Sequence, residues 1–330
     1  MKPLLKPPVV WPDAGVSVIA PASSALPERV ERGIGALRRL GLSPRLGRYA
    51  GERGPLYFAG TPEQRLGDLH EAFADAATSV VACLRGGYGS NYLLEGLDLG
   101  LIAKHPKPFF AYSDLTGLQL RLLDEIGLPA FHGPMVAADF YLEDGVDGPS
   151  FRAALSGQPY SVGEAEGLRA LKPGKAHGPV RGTLYGGCLS ILAALVGTPW
   201  EPHTEGKVLF LEDRATKPYQ VDRLLWQLRA AGKFDGVRGI VFGEMVDCIS
   251  PGTPAGLLGE TILRVFEDFD GPIAMGLRSG HVSRENVTLT FGVEVELTVG
   301  ADARLDLLEA AVKKTGTEGL GTSVLSRQFI

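Results

Sequence analysis

Short apolar runs alternate with amphipathic stretches along the first half of the chain. Val16 to Ile19 (VSVI) predicts a buried strand. After a Pro-Ala-Ser-Ser turn, Val30, Ile34, Leu37 and Leu40 recur at helical spacing and predict a helix from Glu28 to Leu40. Ser79 to Leu84 (SVVACL) predicts a second strand, Gly86, Gly87 and Gly89 a loop, and Asn91 to Leu94 the start of a helix. Phe109 to Tyr112 predicts a third strand, and Leu115 to Ile126 a helix with its apolar face at Leu115, Leu118, Leu122 and Ile126. Strand, loop and helix in repetition predict a parallel sheet covered by helices, with a site in the loops at the carboxyl ends of the strands.

Between Asp144 and Gly178 the pattern breaks into Gly, Pro and polar residues, which predicts a connection holding one short helix or hairpin. A second alternation starts at Val180. Lys207 to Leu211, Gly239 to Phe242 and Pro272 to Met275 predict strands, and Val221 to Leu228 and Leu257 to Phe269 predict helices. Asn286 to Phe291 and Val293 to Val299 predict an antiparallel pair turning at Gly292, and the Gly/Thr-rich tail from Lys313 reads as peripheral. The expected fold is α/β in two domains. An N-terminal parallel-sheet, Rossmann-like domain would span 1–150, a linker 151–178, and a C-terminal α/β domain with a mixed sheet 179–330.

Composition narrows the function classes. The chain has 330 residues, 45% hydrophobic and 22% charged, which suits two globular domains. A net charge of −5 argues against nucleic acid as a partner, since phosphate binding needs a basic surface. Three widely spaced cysteines, Cys83, Cys188 and Cys248, exclude a disulfide framework and a Cys-based zinc site. No segment approaches the roughly 18 apolar residues of a membrane span, and the Pro-rich first residues lack the continuous apolar stretch of a secretory signal. A cytoplasmic protein without membrane partners is expected.

Five segments carry candidate chemistry. In Ala111-Tyr112-Ser113-Asp114-Leu115 a serine sits where a strand gives way to a helix. Such a turn exposes the hydroxyl and points the next N–H toward a developing oxyanion, although Ser and Asp are also ordinary helix caps. Arg85-Gly86-Gly87-Tyr88-Gly89-Ser90 lets backbone N–H groups approach an anion, or is simply a sharp turn; it matches neither the dinucleotide nor the P-loop spacing. Glu212-Asp213 at a strand end could serve a base, a metal or a helix cap. His281 follows Gly280 in a loop, whereas His70, His105, His132, His177 and His203 show no paired metal-ligand spacing. Cys188, after Gly186 and Gly187, could be a helix-activated nucleophile or a buried thiol. Together these supply a nucleophile, an anion-accepting loop, a carboxylate and a histidine, each after a separate strand: the parts list of serine hydrolysis.

The ordered set of segments resembles the LD-carboxypeptidases, serine peptidases that include murein tetrapeptide carboxypeptidases and microcin C immunity proteins. The matching stretches are Val18 to Ser23, Leu84 to Gly89, Tyr112-Ser113-Asp114, Phe131 to Met135, Tyr185-Gly186-Gly187, Leu209 to Asp213, and Gly280-His281 followed by Thr288-Leu289. They run in family order from about residue 15 to 305. The resemblance implies a nucleophile at Ser113, a carboxylate at Glu212, a base at His281, and an oxyanion hole from the N–H groups of Gly87 and Asp114. It also implies a site between two domains, usually in a homodimer, with neither metal nor cofactor. Two positions depart from the family pattern: Cys188 stands where Asn is common, and Thr290 where Pro is common. The expected reaction is hydrolysis of an L,D-amide bond with release of terminal D-Ala from a muropeptide-like peptide. The rivals are an immunity-type amidase acting on aminoacyl or peptidyl adenylate analogues, with Trp200 and Trp226 as possible adenine platforms, and a catalytically silent binder. Arg85 and Arg278 are the candidate cations for a substrate carboxylate.

Overall fold

The computed structural model describes residues 2–10, 12–176, 178–254 and 256–313. His177 and the tail beyond Lys313 lie outside them. The first sheet is built from β1 (Gly15–Ile19), β2 (Ser43–Leu46), β3 (Val80–Cys83), β4 (Phe109–Ala111) and β5 (Ala130–His132), all parallel, in the order β2-β1-β3-β4-β5. The strand order reverses between β1 and β3, so the loops after these two strands diverge and leave a crevice at their carboxyl ends. β1, β3 and β4 are apolar and buried because helices cover both faces: α1 (Pro27–Arg39), α2 (Pro62–Ala74), α3 (Leu99–Lys104) and α4 (Thr116–Ile126). The start of α2 is fixed by a capping box. The Thr61 hydroxyl accepts from Gln64 N–H, the Gln64 side chain accepts from Thr61 N–H, and Pro62 opens the first turn.

The stretch expected as a connection holding one short helix or hairpin has more structure than that. It carries α5 (Gly148–Ser156), β6 (Tyr160–Val162) and β7 (Arg169–Lys172), and the two strands form opposite edges of the larger sheet. That sheet continues through β8 (Val180–Cys188), β9 (Lys207–Glu212), β10 (Gly239–Gly243) and β11 (Ile273–Leu277), which run parallel, with α6 (Leu189–Leu195), α7 (Pro218–Ala230) and α8 (Leu257–Val265) in the crossovers. β6 and β7 were illegible as strands because each is only three or four residues long and half exposed, so neither shows a clear alternation.

The predicted antiparallel pair around Gly292 does not form. β12 (Leu289–Phe291) instead adds antiparallel to β5, on the edge of the first sheet, whereas β13 (Glu294–Val299) pairs with β8 and with β14 (Ala303–Leu307) in the second. Gly292, at φ +97°, is thus where the chain passes from one sheet to the other. One apolar cluster runs through both sheets, from Val16 and Phe110 to Phe210, Phe242 and Leu297, and a second packs on the first sheet around Phe73, Phe109 and Leu118. No helix among the described residues is long and apolar enough to cross a membrane.

Candidate active site

Ser113 occupies a strained elbow. β4 ends at Ala111, Tyr112 stays extended, and Ser113 turns to φ +65° before a short 3-10 turn leads into α4. A non-glycine residue in the left-handed region is uncommon and costs of order 1–3 kcal/mol, a strain that clusters at functional sites. Strand, sharp turn and helix together project the hydroxyl into the crevice, as a nucleophile elbow does. The surroundings hold the elbow in place. Thr116 Oγ1 donates to the Ser113 carbonyl at 2.8 Å and in turn accepts Cys188 N–H at 3.2 Å, which ties the elbow to the end of β8.

The glycine loop after β3 lies directly against this serine. A Cβ on Gly86 would come within 2.8 Å of Ser113 Cβ and 3.0 Å of its Oγ, so only glycine allows the approach. Gly87 follows at φ +109°, over the hydroxyl of Ser23 from the loop after β1, and that hydroxyl accepts Tyr88 N–H at 3.0 Å. Asp114 turns its carboxylate away from the crevice. Its Oδ2 accepts Ser90 N–H at 2.8 Å and its carbonyl accepts the Ser90 hydroxyl at 2.6 Å, which clamps the glycine loop onto the elbow.

The carboxylate and the histidine come from the second sheet. Glu212, the last residue of β9, is fully buried. Its Oε2 lies 2.7 Å from Nδ1 of His281 and accepts the His281 main-chain N–H at 3.0 Å. An ionised carboxylate can only accept, so Nδ1 carries the proton and Nε2 is left as the free base. Burial disfavours the His281 imidazolium, but Glu212, with Asp213 and Asp139 beyond it, outweighs burial and holds the pKa above the ordinary imidazole value. The reciprocal holds for Glu212: burial would raise its pKa, yet His281 and the two hydrogen bonds keep it below the usual carboxylate value.

Asp213 takes the structural part of the adjacent pair. It accepts Ser190 N–H at 2.9 Å in the first turn of α6, together with Arg214 N–H and the Thr216 hydroxyl at 2.8 and 2.9 Å.

Asn286 and Asp139, which the sequence did not single out, join the halves of the site together with Tyr112. Asn286 accepts Gly280 N–H and donates to the Gly280 carbonyl, and its Nδ2 also donates to Asp139 Oδ1 at 3.1 Å. Asp139 accepts Met135 N–H at 2.8 Å and the Tyr112 hydroxyl at 3.2 Å; burial nevertheless pushes its carboxyl up to about 6. The Tyr112 ring meets the His281 ring edge-on at 5.2 Å. The loop that carries the histidine is thereby tied to the strand end that carries the serine. Asn and Asp are common turn residues, so nothing local in the sequence marks them.

Ser113, His281, Gly86, Gly87, Arg85 and Cys188 line one cleft of about 790 Å³ between the two sheets. A larger, more apolar cavity of about 1260 Å³ lies between α1 and α5, but it contains no pairing of a nucleophile with a base. Of the two readings of Cys188, its burial favours the buried thiol. Burial, with Glu212 and Asp213 nearby, pushes its pKa well above the usual thiol value, the opposite of what an activated nucleophile needs. The other two cysteines are buried free thiols. His70 accepts Asp98 N–H at 2.9 Å, a structural contact. Among the described residues no group of three or more His, Cys, Asp and Glu is placed to hold a metal ion. Arg278 is committed elsewhere, donating to the Ala165 carbonyl at 2.8 Å and lying 3.6 Å from Glu285, and Thr290 sits in β12 opposite Phe131.

Two family domains match this chain in order: the LD-carboxypeptidase N-terminal domain over residues 16–133 and the LD-carboxypeptidase C-terminal domain over 181–297. The chain belongs to the LD-carboxypeptidase family. Among its relatives is the probable murein peptide carboxypeptidase of Bacillus subtilis (strain 168), 35% identical over 311 residues, which cover 92% of this chain and 93% of that protein. The murein tetrapeptide carboxypeptidase of Pseudomonas aeruginosa is 34% identical over 286 residues, covering 82% and 88% of the two chains. In three dimensions the chain is similar to an MccF-like protein from Bacillus anthracis str. Ames, with a TM-score of 0.83 and 26% identity over 92% of this chain and 99% of the other. Membership makes the protein a carboxypeptidase, and the two-sheet α/β architecture is that of the family.

Proposed function

We propose that the protein is a serine carboxypeptidase that cleaves an L,D-amide bond and releases D-Ala from a murein tetrapeptide. The observation that carries this reading is the Glu212–His281 pair, bonded at 2.7 Å, opening onto the same cleft as the strained Ser113 elbow. Ser113 Oγ attacks the carbonyl carbon of the scissile bond while its proton passes to His281 Nε2. The carbonyl π electrons move to oxygen, and the main-chain N–H groups of Gly87 and Asp114 receive that oxyanion. Collapse expels the D-Ala amine, which takes the proton from His281. Water, deprotonated by His281, then hydrolyses the acyl-enzyme. Glu212 holds the imidazole in the Nδ1–H tautomer and stabilises the imidazolium through both steps.

The charge around the cleft supports a carboxylate-bearing substrate. Arg29, Arg85, Arg214 and Arg284 line it and are exposed, whereas the lining carboxylates Asp114, Asp139 and Asp213 are buried and hydrogen-bonded inward. A chain of net charge −5 thus presents a basic face where the peptide would enter. Arg85 is the residue we assign to the D-Ala carboxylate: its Nη2 lies 3.6 Å from where a Gly87 Cβ would sit, beside the oxyanion-binding amides. Homodimerisation, as the family resemblance implies, and the cytoplasmic address expected from the sequence complete the reading.

Likeness to the MccF-like protein supports a second reading, an amidase acting on adenylate-type substrates. Its aromatic platform would have to come from elsewhere than Trp226, which is exposed on α7, or Trp200, which packs against the first-sheet core beside Arg121. The discriminating experiment offers L-Ala-D-Glu-meso-diaminopimelyl-D-Ala and an aminoacyl-sulfamoyl adenosine to the protein and to Ser113→Ala. Release of D-Ala that Ser113→Ala abolishes upholds the proposal. Cleavage of the adenylate alone replaces it with the second reading, and equal traces in both proteins leave a binder.

A further inference from the structure

His132, the last residue of β5, has no place in the mechanism above, yet it is fully buried and carries two unpartnered ring nitrogens. Its ring stacks on Phe291 at 5.0 Å and meets Phe210 edge-on at 5.2 Å, so its orientation is fixed. Glu212 Oε1, the oxygen that His281 does not use, is also buried without a partner, as is Thr288 Oγ1 beside Gly133. His132 and Glu212 converge on one point. An atom placed at the Cβ position of Gly280 would lie 2.8 Å from His132 Nε2 and 2.7 Å from Glu212 Cδ. A potential donor and an orphaned acceptor, both out of water, thus lie close on either side of a residue that has no side chain to part them, without a hydrogen bond between them as placed.

We infer that His132 is a positioning residue: a small turn of the Glu212 carboxylate about its last torsion brings Oε1 to His132 Nε2–H, and that bond fixes the carboxylate plane. The inference rests on the proposed role of Glu212. The last torsion of a glutamate side chain is soft, so an anchor at one oxygen leaves the carboxylate free to rock. With Oε2 bound to His281 and Oε1 bound to His132, the plane is pinned at both ends, and so is the imidazole it orients. Burial keeps His132 neutral, its pKa pushed down to about 4 against the pull of Glu212, so one ring nitrogen is always a donor and the ring adds no charge. The other titratable groups facing this pair are His281, Tyr112 at 5.8 Å from the His132 ring, the buried thiols of Cys188 and Cys248, and Asp139 and Asp213 beyond them.

The test compares His132→Phe, which keeps the stacked ring but no donor, with His132→Gln, which keeps an amide donor near Nε2. On the L,D-tetrapeptide, His132→Phe should lower kcat about 10- to 100-fold with KM nearly unchanged. It should also move the acid limb of the pH profile upward, because losing a donor leaves the Glu212–His281 pair in a more negative setting that favours protonation. His132→Gln should restore most of both. A purely structural role would lower the melting temperature without moving the acid limb. Nitrogen-15 NMR of the wild-type protein, which needs no activity, should show His132 as the neutral Nε2–H tautomer. An Nδ1–H tautomer, an unmoved acid limb in His132→Phe, or no rescue by His132→Gln would overturn the inference. If His132→Phe does not fold, the tautomer and the profile of His132→Gln still decide. Undiminished turnover by Ser113→Ala would instead sink the mechanism, leaving the tautomer result to stand alone.

Discussion

One oxygen of Glu212 receives two hydrogen bonds from the same residue, the ring Nδ1–H of His281 at 2.7 Å and its main-chain N–H at 3.0 Å. The carboxylate therefore sets both where the loop sits and how its ring is turned. Glu212→Gln keeps the shape but loses the charge that stabilises the imidazolium and selects the tautomer. We expect kcat/KM to fall by roughly 10⁴ while far-UV circular dichroism stays that of the wild type. A fall of less than about tenfold would remove Glu212 from the mechanism.

The raised pKa of His281 fixes the pH dependence. Below that value the ring is protonated and cannot take the Ser113 proton, so kcat/KM should fall as pH drops through a point above 6.5 and level off on the alkaline side. The limb belongs to the Glu212–His281 pair rather than to either residue. The stability sign is opposite: a histidine with a raised folded-state pKa stabilises the fold below its unfolded value, and this is lost as pH rises through the folded value. Activity should thus appear as that contribution fades. Profiles of kcat/KM from pH 5 to 9, beside thermal melts, would check both, and a flat rate profile would contradict the assignment of the base.

Cys188 lines the cleft but should be inert. With its pKa raised by burial, and with Cys83 and Cys248 also buried, the native protein should show no fast-reacting thiol toward iodoacetamide and lose no activity on exposure. All three cysteines should label after unfolding. Prompt single-site labelling with inactivation would revive the cysteine nucleophile.

Arg85 should govern recognition of the leaving residue. A hydrogen bond to a charged group is worth about 1.5–3 kcal/mol, so Arg85→Ala should raise KM for the tetrapeptide about 10- to 100-fold with a smaller change in kcat. Amidating the terminal carboxylate should cost the wild type far more than the variant. Equal losses in the two proteins would place the carboxylate elsewhere.

Gly86 tests the closeness of loop and nucleophile. Gly86→Ala would put a methyl group 2.8 Å from Ser113 Cβ, between two backbone segments already clamped by Ser90 and Asp114. We expect activity to fall at least 100-fold, the scale of one oxyanion donor, with little change in melting temperature. Near-normal turnover would show that the loop gives way without cost.

Much of this was legible from the chain because strand, loop and helix each announce themselves within about ten residues. Val16 to Ile19, Ser79 to Leu84 and Phe109 to Tyr112 read as strands, each within a residue of the strand observed at either end, and Ser113 stood where the last of them turns into a helix. What local pattern cannot say is which distant segment a strand will join. Leu289–Phe291 and Glu294–Val299 looked like one hairpin, but their partners are β5 in one sheet and β8 and β14 in the other. The choice between Glu212 and Asp213 was likewise invisible to spacing. Neighbours on a strand point to opposite faces, so one meets His281 and the other the turn at Ser190 and Thr216. Cys188 misled in the opposite direction: its place before a helix suggested activation, and its depth beside two carboxylates prevents it.

The crossing at Gly292 has a consequence for how the polypeptide must be made. β12 lies far along the chain yet closes the outer edge of β5, which would otherwise expose unpaired main-chain groups. A fragment ending near residue 150 would therefore carry an open ribbon prone to self-association, and its complement would carry an orphan strand. Translation has to pass residue 291 before the first sheet is sealed, and a single protease cut between β5 and β12 should leave two pieces that stay bound to one another.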